Sequence, residues 1–260
     1  MPKKLLIVFI AAAAIVWGIW LAFPVSAIES IIEDSVSGHG FRMNIEGLQK
    51  GLFYRLHADR IALKKTELEL IVFNSVHARI HPLQIFYLRM NLSFHGGLGG
   101  GSFTGNAGLS GRTDEMHLDF KGAGLHDMRF LASAGIRGTG KVSGRISATD
   151  NMGGVEFHVE DANFEPVFVS GLLLPLNLFS TVKGSVRVDG ESLEFAPISL
   201  EGPDIFARLK GTIRDNAMDM QLEVMPGRTL LGNALFLSGM EKYKVSPGYF
   251  VIPVTGPLRI

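Results

Sequence analysis

The sequence predicts a mainly β protein: a curved, mostly antiparallel sheet with short helical connectors, preceded by one N-terminal transmembrane helix. Three observations carry this. After Gly40, apolar and polar residues alternate with period two through most of the chain. Glycine is abundant, 31 of 260 residues, where about 7% is usual, and it punctuates the alternating runs instead of forming collagen-like or linker-like tracts. A long uncharged apolar run stands at the N-terminus.

That run, Leu5 to Phe23, holds nineteen residues without a charge. At about 1.5 Å per residue it matches the hydrocarbon thickness of a bilayer. Lys3 and Lys4 precede it, and Glu29, Glu33 and Asp34 follow. By the positive-inside rule the tip stays in the cytoplasm and the chain after residue 27 is exported. Trp17 and Trp20 sit near the outer end, where amphipathic rings prefer the interface. Val25-Ser26-Ala27 also fits a small-x-small cleavage site, but a signal-peptide core is usually shorter than this run, which favours a retained anchor. The expected organisation is an anchor over 1–27, a juxtamembrane helix over 28–40 and a periplasmic β domain over 41–260.

Without Lys3 and Lys4 the exported part has 23 basic and 25 acidic residues, net −2. It offers no basic patch for nucleic acid. There is no cysteine, so no disulfide supports the exported domain. Stability must come from packing and backbone hydrogen bonds. Apolar residues occur throughout and charge is sparse, which argues against disordered stretches.

Ile28, Ile31, Ile32 and Val36 recur at helical spacing, with Gly38 as a stop, and predict a short amphipathic helix beside the membrane. Strands follow. Phe41, Met43 and Ile45 alternate with polar neighbours, and Leu68, Leu70 and Val72 alternate with Glu67, Glu69 and Ile71. Phe86, Leu88, Met90, Leu92 and Phe94 define one long strand whose apolar face opposes Tyr87, Arg89, Asn91 and Ser93. The pattern returns at Met116, Leu118 and Phe120; at Val155, Phe157 and Val159; at Val186 and Val188; at Ile205, Ala207 and Leu209; and at Met218, Met220, Leu222 and Val224. Asp189-Gly190 between two such runs predicts a hairpin. Residues 125–135, 172–181 and 226–240 are too apolar and irregular to alternate, and predict short helices or covering loops. A weak internal repeat, an apolar connector followed by a glycine-spaced strand, occurs at 128–148 and again at 174–188, where more strands follow.

This cadence resembles the AsmA/TamB-like family of bacterial envelope proteins, and more narrowly type II secretion system protein N. The resemblance is carried by the overall size, the single N-terminal apolar segment, the stretch from Val76 to Phe86 leading to Gly97–Gly105, and the closing Pro247–Leu258. Most AsmA-like proteins are much longer, which favours protein N. The motifs are patterns of glycine and alternation, so no active site is carried over.

Three local motifs suggest chemistry. Gly135 to Val142 nearly matches a P-loop, but Val142 stands where a Mg²⁺-binding hydroxyl is required, and the alternation that follows predicts a strand where the motif needs a helix. His95-Gly96-Gly97-Leu98-Gly99-Gly100-Gly101 resembles an esterase oxyanion loop, yet the chain has no Gly-x-Ser-x-Gly elbow. A glycine-rich turn between strands ending at Phe94 and starting at Ser102 is the simpler reading. His77 and His81 share a face on either helix or strand, but Ala78 replaces the glutamate of a zinc-binding helix and Pro82 follows at once. Solvent-facing histidines are the reading adopted. Met218 and Met220 are read as core filler. No catalytic residue, metal ligand or cofactor is assigned.

Two functional expectations result. The first is an inner-membrane-anchored accessory or assembly protein of a type II secretion system, with other envelope proteins as partners. The second, implied by the AsmA/TamB resemblance, is a lipid carrier whose apolar sheet face holds phospholipid acyl chains. If the apolar faces fill one another there is a core and no groove. An enzyme would need a polar triad that the sequence does not offer.

Overall fold

The computed structural model describes residues 17, 18, 20–36, 41–65, 68–81, 90–109, 114–133, 135–150, 152–169, 172–190, 192–215, 217–232 and 239–257. Most of the expected transmembrane run lies outside these residues. Among the described residues no helix is long and apolar enough to cross a membrane. Trp17, Gly18 and residues 20–22 are helical. Pro24 ends that stretch, since its ring disfavours helix in the residue before it. It also begins the next one: its carbonyl accepts from the Ala27 and Ile28 amides at 3.2 and 3.4 Å. Helix α1 therefore spans Val25–Val36. It starts three residues ahead of the expected Ile28, and the boundary drawn at Ala27 falls inside it.

Strands β1 (Phe41–Glu46), β2 (Gln49–Lys50), β3 (Arg55–Lys65), β4 (Leu68–Ile80), β5 (Met90–Leu98), β6 (Gly101–Leu109) and β7 (Asp114–Gly124) lead to a short helix α2 (Arg129–Ser133). After it come β8 (Gly138–Thr149), β9 (Met152–Phe164), and β10 (Val167–Val169) with β11 (Leu172–Leu174) as a separate hairpin. The chain continues through β12 (Thr181–Asp189), β13 (Ser192–Gly202), β14 (Ile205–Arg214), β15 (Ala217–Pro226), helix α3 (Arg228–Leu231), β16 (Lys244–Ser246) and β17 (Tyr249–Pro257). The described strands, other than the β10–β11 hairpin, form one open antiparallel sheet of fifteen, almost entirely in sequence order, with β1 and β16 at its ends.

The alternation places the core on one face. One row reads Val142, Val159, Val182, Leu200, Ala207, Val224 and Phe250 straight across seven strands. A second row alternates phenylalanine with glycine: Phe120 opposes Gly144, which opposes Phe157, which opposes Gly184. Gly105 likewise opposes Phe94, and a Cβ there would strike the Phe94 ring. The Phe94 and Phe120 rings lie over the bare backbone of Gly105 and Gly144, and Gly184 makes room for Ile198, which accounts for glycines within these strands. Phe250 and Ile252 are 1% and 0% exposed. Phe103, Phe120, Val142 and Val159 are buried too, with Phe94, Phe157 and Leu200 partly buried against them.

One strand boundary differs from expectation. The strand expected to end at Phe94 continues to Leu98. Gly96 stays extended because a Cβ there would come within 2.9 Å of both the Asn74 carbonyl and the Phe103 ring. The turn is only Gly99-Gly100, both at positive φ, a two-residue hairpin loop. Its partner Gly101 belongs to β6. Ser192 to Gly202 forms a single strand across Pro197. Pro197 cannot donate to the ladder, so the register slips between Phe195 and Ile198 as a bulge. The expected Phe86–Leu88 part of the long strand lies outside the described residues.

The apolar connectors all leave the same end of the strands. After β7 stand a 3₁₀ turn (Leu125–Asp127) and α2; after β9, the β10–β11 hairpin and a 3₁₀ turn (Leu176–Leu178); after β15, α3. The segment 172–181 is thus partly strand, while 125–135 and the described part of 226–240 hold the expected short helices. At the opposite end β8–β9, β12–β13 and β14–β15 close tightly, with Asp150, Gly190 and Asp215 at positive φ.

Candidate functional site

Much of the apolar surface is packed into buried clusters. A shallow concavity of about 1030 Å³ over β6 to β9, β12 and β13 is lined both by Phe103, Phe120 and Phe157 and by polar residues. Among the latter is a charge ladder across adjacent strands: Asp119 opposes Arg145, which opposes Glu156. Arg145 Nε donates to Asp119 Oδ1 at 2.7 Å, and this hydrogen bond with the Asp119 charge raises the guanidinium above its ordinary value. Lys121, His158 and Lys183 line the same trough, with His158 Nε2 at 3.0 Å from Glu160. A smaller cavity of about 390 Å³ lies under the α2 connector, between Met128, Ile136 and Phe164.

A second polar cluster ties that connector to the sheet. Arg60 Nη2 donates to both oxygens of Glu69 at 2.9 Å, and Arg129 of α2 reaches the same carboxylate at 3.1 Å. Burial pushes the Glu69 carboxyl up. The Arg60 hydrogen bond and the charges of Arg60, Lys64 and Arg129 outweigh it and hold the group below the usual carboxylate range.

The motifs singled out in the sequence are not brought together. Gly135 precedes β8, and the strand that follows from Gly138 supplies no helix to aim amides at a phosphate. His95 to Leu98 belong to β5. His77 and His81 are engaged separately: His81 Nε2 lies 3.1 Å from Ser93 Oγ, while His77 is the middle of a cross-strand stack, with His57 at 4.5 Å and His95 at 5.3 Å between ring centroids. The rings are near parallel, so they present faces to one another. Among the described residues no group of three or more His, Cys, Asp or Glu is placed to hold a metal. Met220 is buried and Met218 packs beside it in the core, as filler.

Sequence reasoning missed two groupings. The histidine stack depends on cross-strand register, which spacing along one strand cannot show. The other is at the N-terminal end of the described residues. Trp20 is buried against the β2–β3 connection, its indole donating to the Gly51 carbonyl at 3.1 Å. The legible signal was Leu52-Phe53, two large apolar residues in a turn between strands. No protein-family model, no curated protein and no solved structure matches the chain.

Proposed function

We propose that the chain is a membrane-tethered accessory component of the bacterial envelope, most like type II secretion system protein N, acting as a scaffold in the periplasm. The observation that carries this reading is the division of the sheet. Its buried apolar residues pack mainly into two clusters, one holding Phe103 and Phe120 and the other Phe250 and Ile252, while a concavity six strands wide that carries Asp119, Arg145, Glu156 and His158 stays open. A carrier of acyl chains needs the reverse, an unfilled apolar groove with few polar groups. An open charged face suits reversible contact with other envelope proteins, where polar complementarity sets specificity. The experiment is deletion of the chain from a bacterium with a type II apparatus. Exoproteins are expected to accumulate in the periplasm; unimpaired secretion would refute the assignment. The lipid-carrier reading predicts instead that phospholipid copurifies with residues 28–260.

A further inference from the structure

The end of the N-terminal apolar run does not stand free of the sheet. Trp20 tilts against Tyr54, centroids 5.2 Å apart. Lys50 Nζ donates to the carbonyl oxygens of Trp20, Leu21 and Phe23 at 2.8, 3.0 and 2.7 Å. One ammonium thus caps the last turn of the helical stretch, whose carbonyls have no helical partner. The connection between β2 and β3 is thereby clamped beside the helix. At its tip Phe53 and Tyr54 both have positive φ, 57° and 61°, a conformation unfavourable for large side chains. What this backbone achieves is display. Tyr54 turns in onto Trp20, while Leu52 and Phe53 turn out, 59% and 63% exposed.

Phe53 stacks on Trp17, centroids 6.4 Å apart. Leu21 and Phe23, whose carbonyls the same Lys50 holds, are exposed as well, so large exposed apolar side chains concentrate where the helical stretch meets the β2–β3 connection. The other large exposed hydrophobics, such as Leu68, Met152 and Val245, stand on separate elements, as single surface residues commonly do. A clustered patch marks a surface that something covers.

We propose that Leu52 and Phe53 insert into the headgroup–acyl boundary of the same bilayer that residues 5–23 cross, making a second membrane contact beside the anchor. This rests on the anchor reading. The depth follows from geometry: Trp17 lies six residues before the end of the apolar run, about 9 Å along a helix, and a ring stacked on it shares its level. Arg55, exposed at the start of β3 beside the tip, suits the phosphate layer, where basic side chains favour anionic headgroups. A two-point contact would fix the tilt of the sheet over the membrane.

The chain has no cysteine, so single reporters can be placed cleanly. Full-length Leu52→Cys and Val245→Cys, each carrying an environment-sensitive fluorophore, are reconstituted into vesicles of phosphatidylcholine and phosphatidylglycerol containing shallow nitroxide lipids. Val245 is equally exposed, at 64%, but lies at the opposite end of the strands. The label at 52 should shift to the blue and lose most of its emission to the nitroxide, while the label at 245 keeps it. If the protein floats with the vesicles and the two labels behave alike, insertion is wrong and the anchor stands. If the protein does not float with the vesicles, the anchor reading fails and the insertion fails with it.

Discussion

Replacing Gly144 with alanine tests the pairing of phenylalanine with glycine on which the core depends. The new Cβ would sit on the Glu156 carbonyl oxygen, 2.8 Å from Phe120 Cζ and 3.1 Å from Phe157 Cα. Ordinary carbon contacts lie near 3.5–4.0 Å. The Phe120 ring is buried in the core and cannot simply withdraw. Overpacking of this kind costs about 1–3 kcal/mol. Alanine also removes freedom from the unfolded chain, worth about 0.4–1 kcal/mol in the other direction. Overpacking outweighs this over most of the range, leaving a net loss of up to about 2.6 kcal/mol and a Tm drop of up to about 10 °C for a domain of this size. Gly108 is the matched control. It too lies within a strand, but a Cβ there meets only Asn91 Oδ1, at 3.4 Å. Gly108→Ala should therefore be neutral or raise Tm by about 1–4 °C. Thermal unfolding of both variants followed by far-ultraviolet circular dichroism in one detergent makes the comparison. Shifts of the same sign and size would show that the rings do not lie over the glycines and that the register is wrong.

Glu69→Gln should lower Tm at neutral pH and converge on the parent protein in acid. The carboxyl is held below its unfolded value of about 4.3, so its contribution is present above that pH and is lost as pH falls through the lower folded value; equal losses at both pH values would refute this. Leu222→Trp should destabilise by about 1–3 kcal/mol, since Leu222 is buried opposite Ile252, and it should change no lipid content. Phospholipid that copurifies with the parent and is displaced in the variant would overturn the scaffold reading. Pro253→Val restores a backbone donor in the part of β17 beyond Phe250, which pairs with β15 but extends past the short β16. It should increase self-association in sedimentation velocity, and an unchanged distribution would show that this edge is not the exposed one.

The class of fold was legible because the period of a strand is local. Val155, Phe157 and Val159 declare an inward face without reference to any partner, and Asp189-Gly190 declares a hairpin, in which Asp189 pairs with Ser192 and Gly190 turns at positive φ. The helix beginning near Ile28 was legible for the same reason, while its true start was set by Pro24, a residue that belongs equally to the segment before it. Strand ends were harder. Gly96 and Gly97 read as a turn, but they extend because the Phe103 ring and the Asn74 carbonyl close over Gly96 from other strands.

The sequence by itself determined the alternation, the absence of disulfides, the tight turns and an apolar N-terminal run. Each follows from residue type and short-range spacing. Only the tertiary structure decided which apolar residues pack into buried clusters, that His57, His77 and His95 stack, that Arg129 reaches Glu69 across sixty positions, and that Lys50 and Gly51 hold Trp20. Those outcomes depend on register, and register is set when facing rows of side chains fit together across strands that lie far apart in the chain.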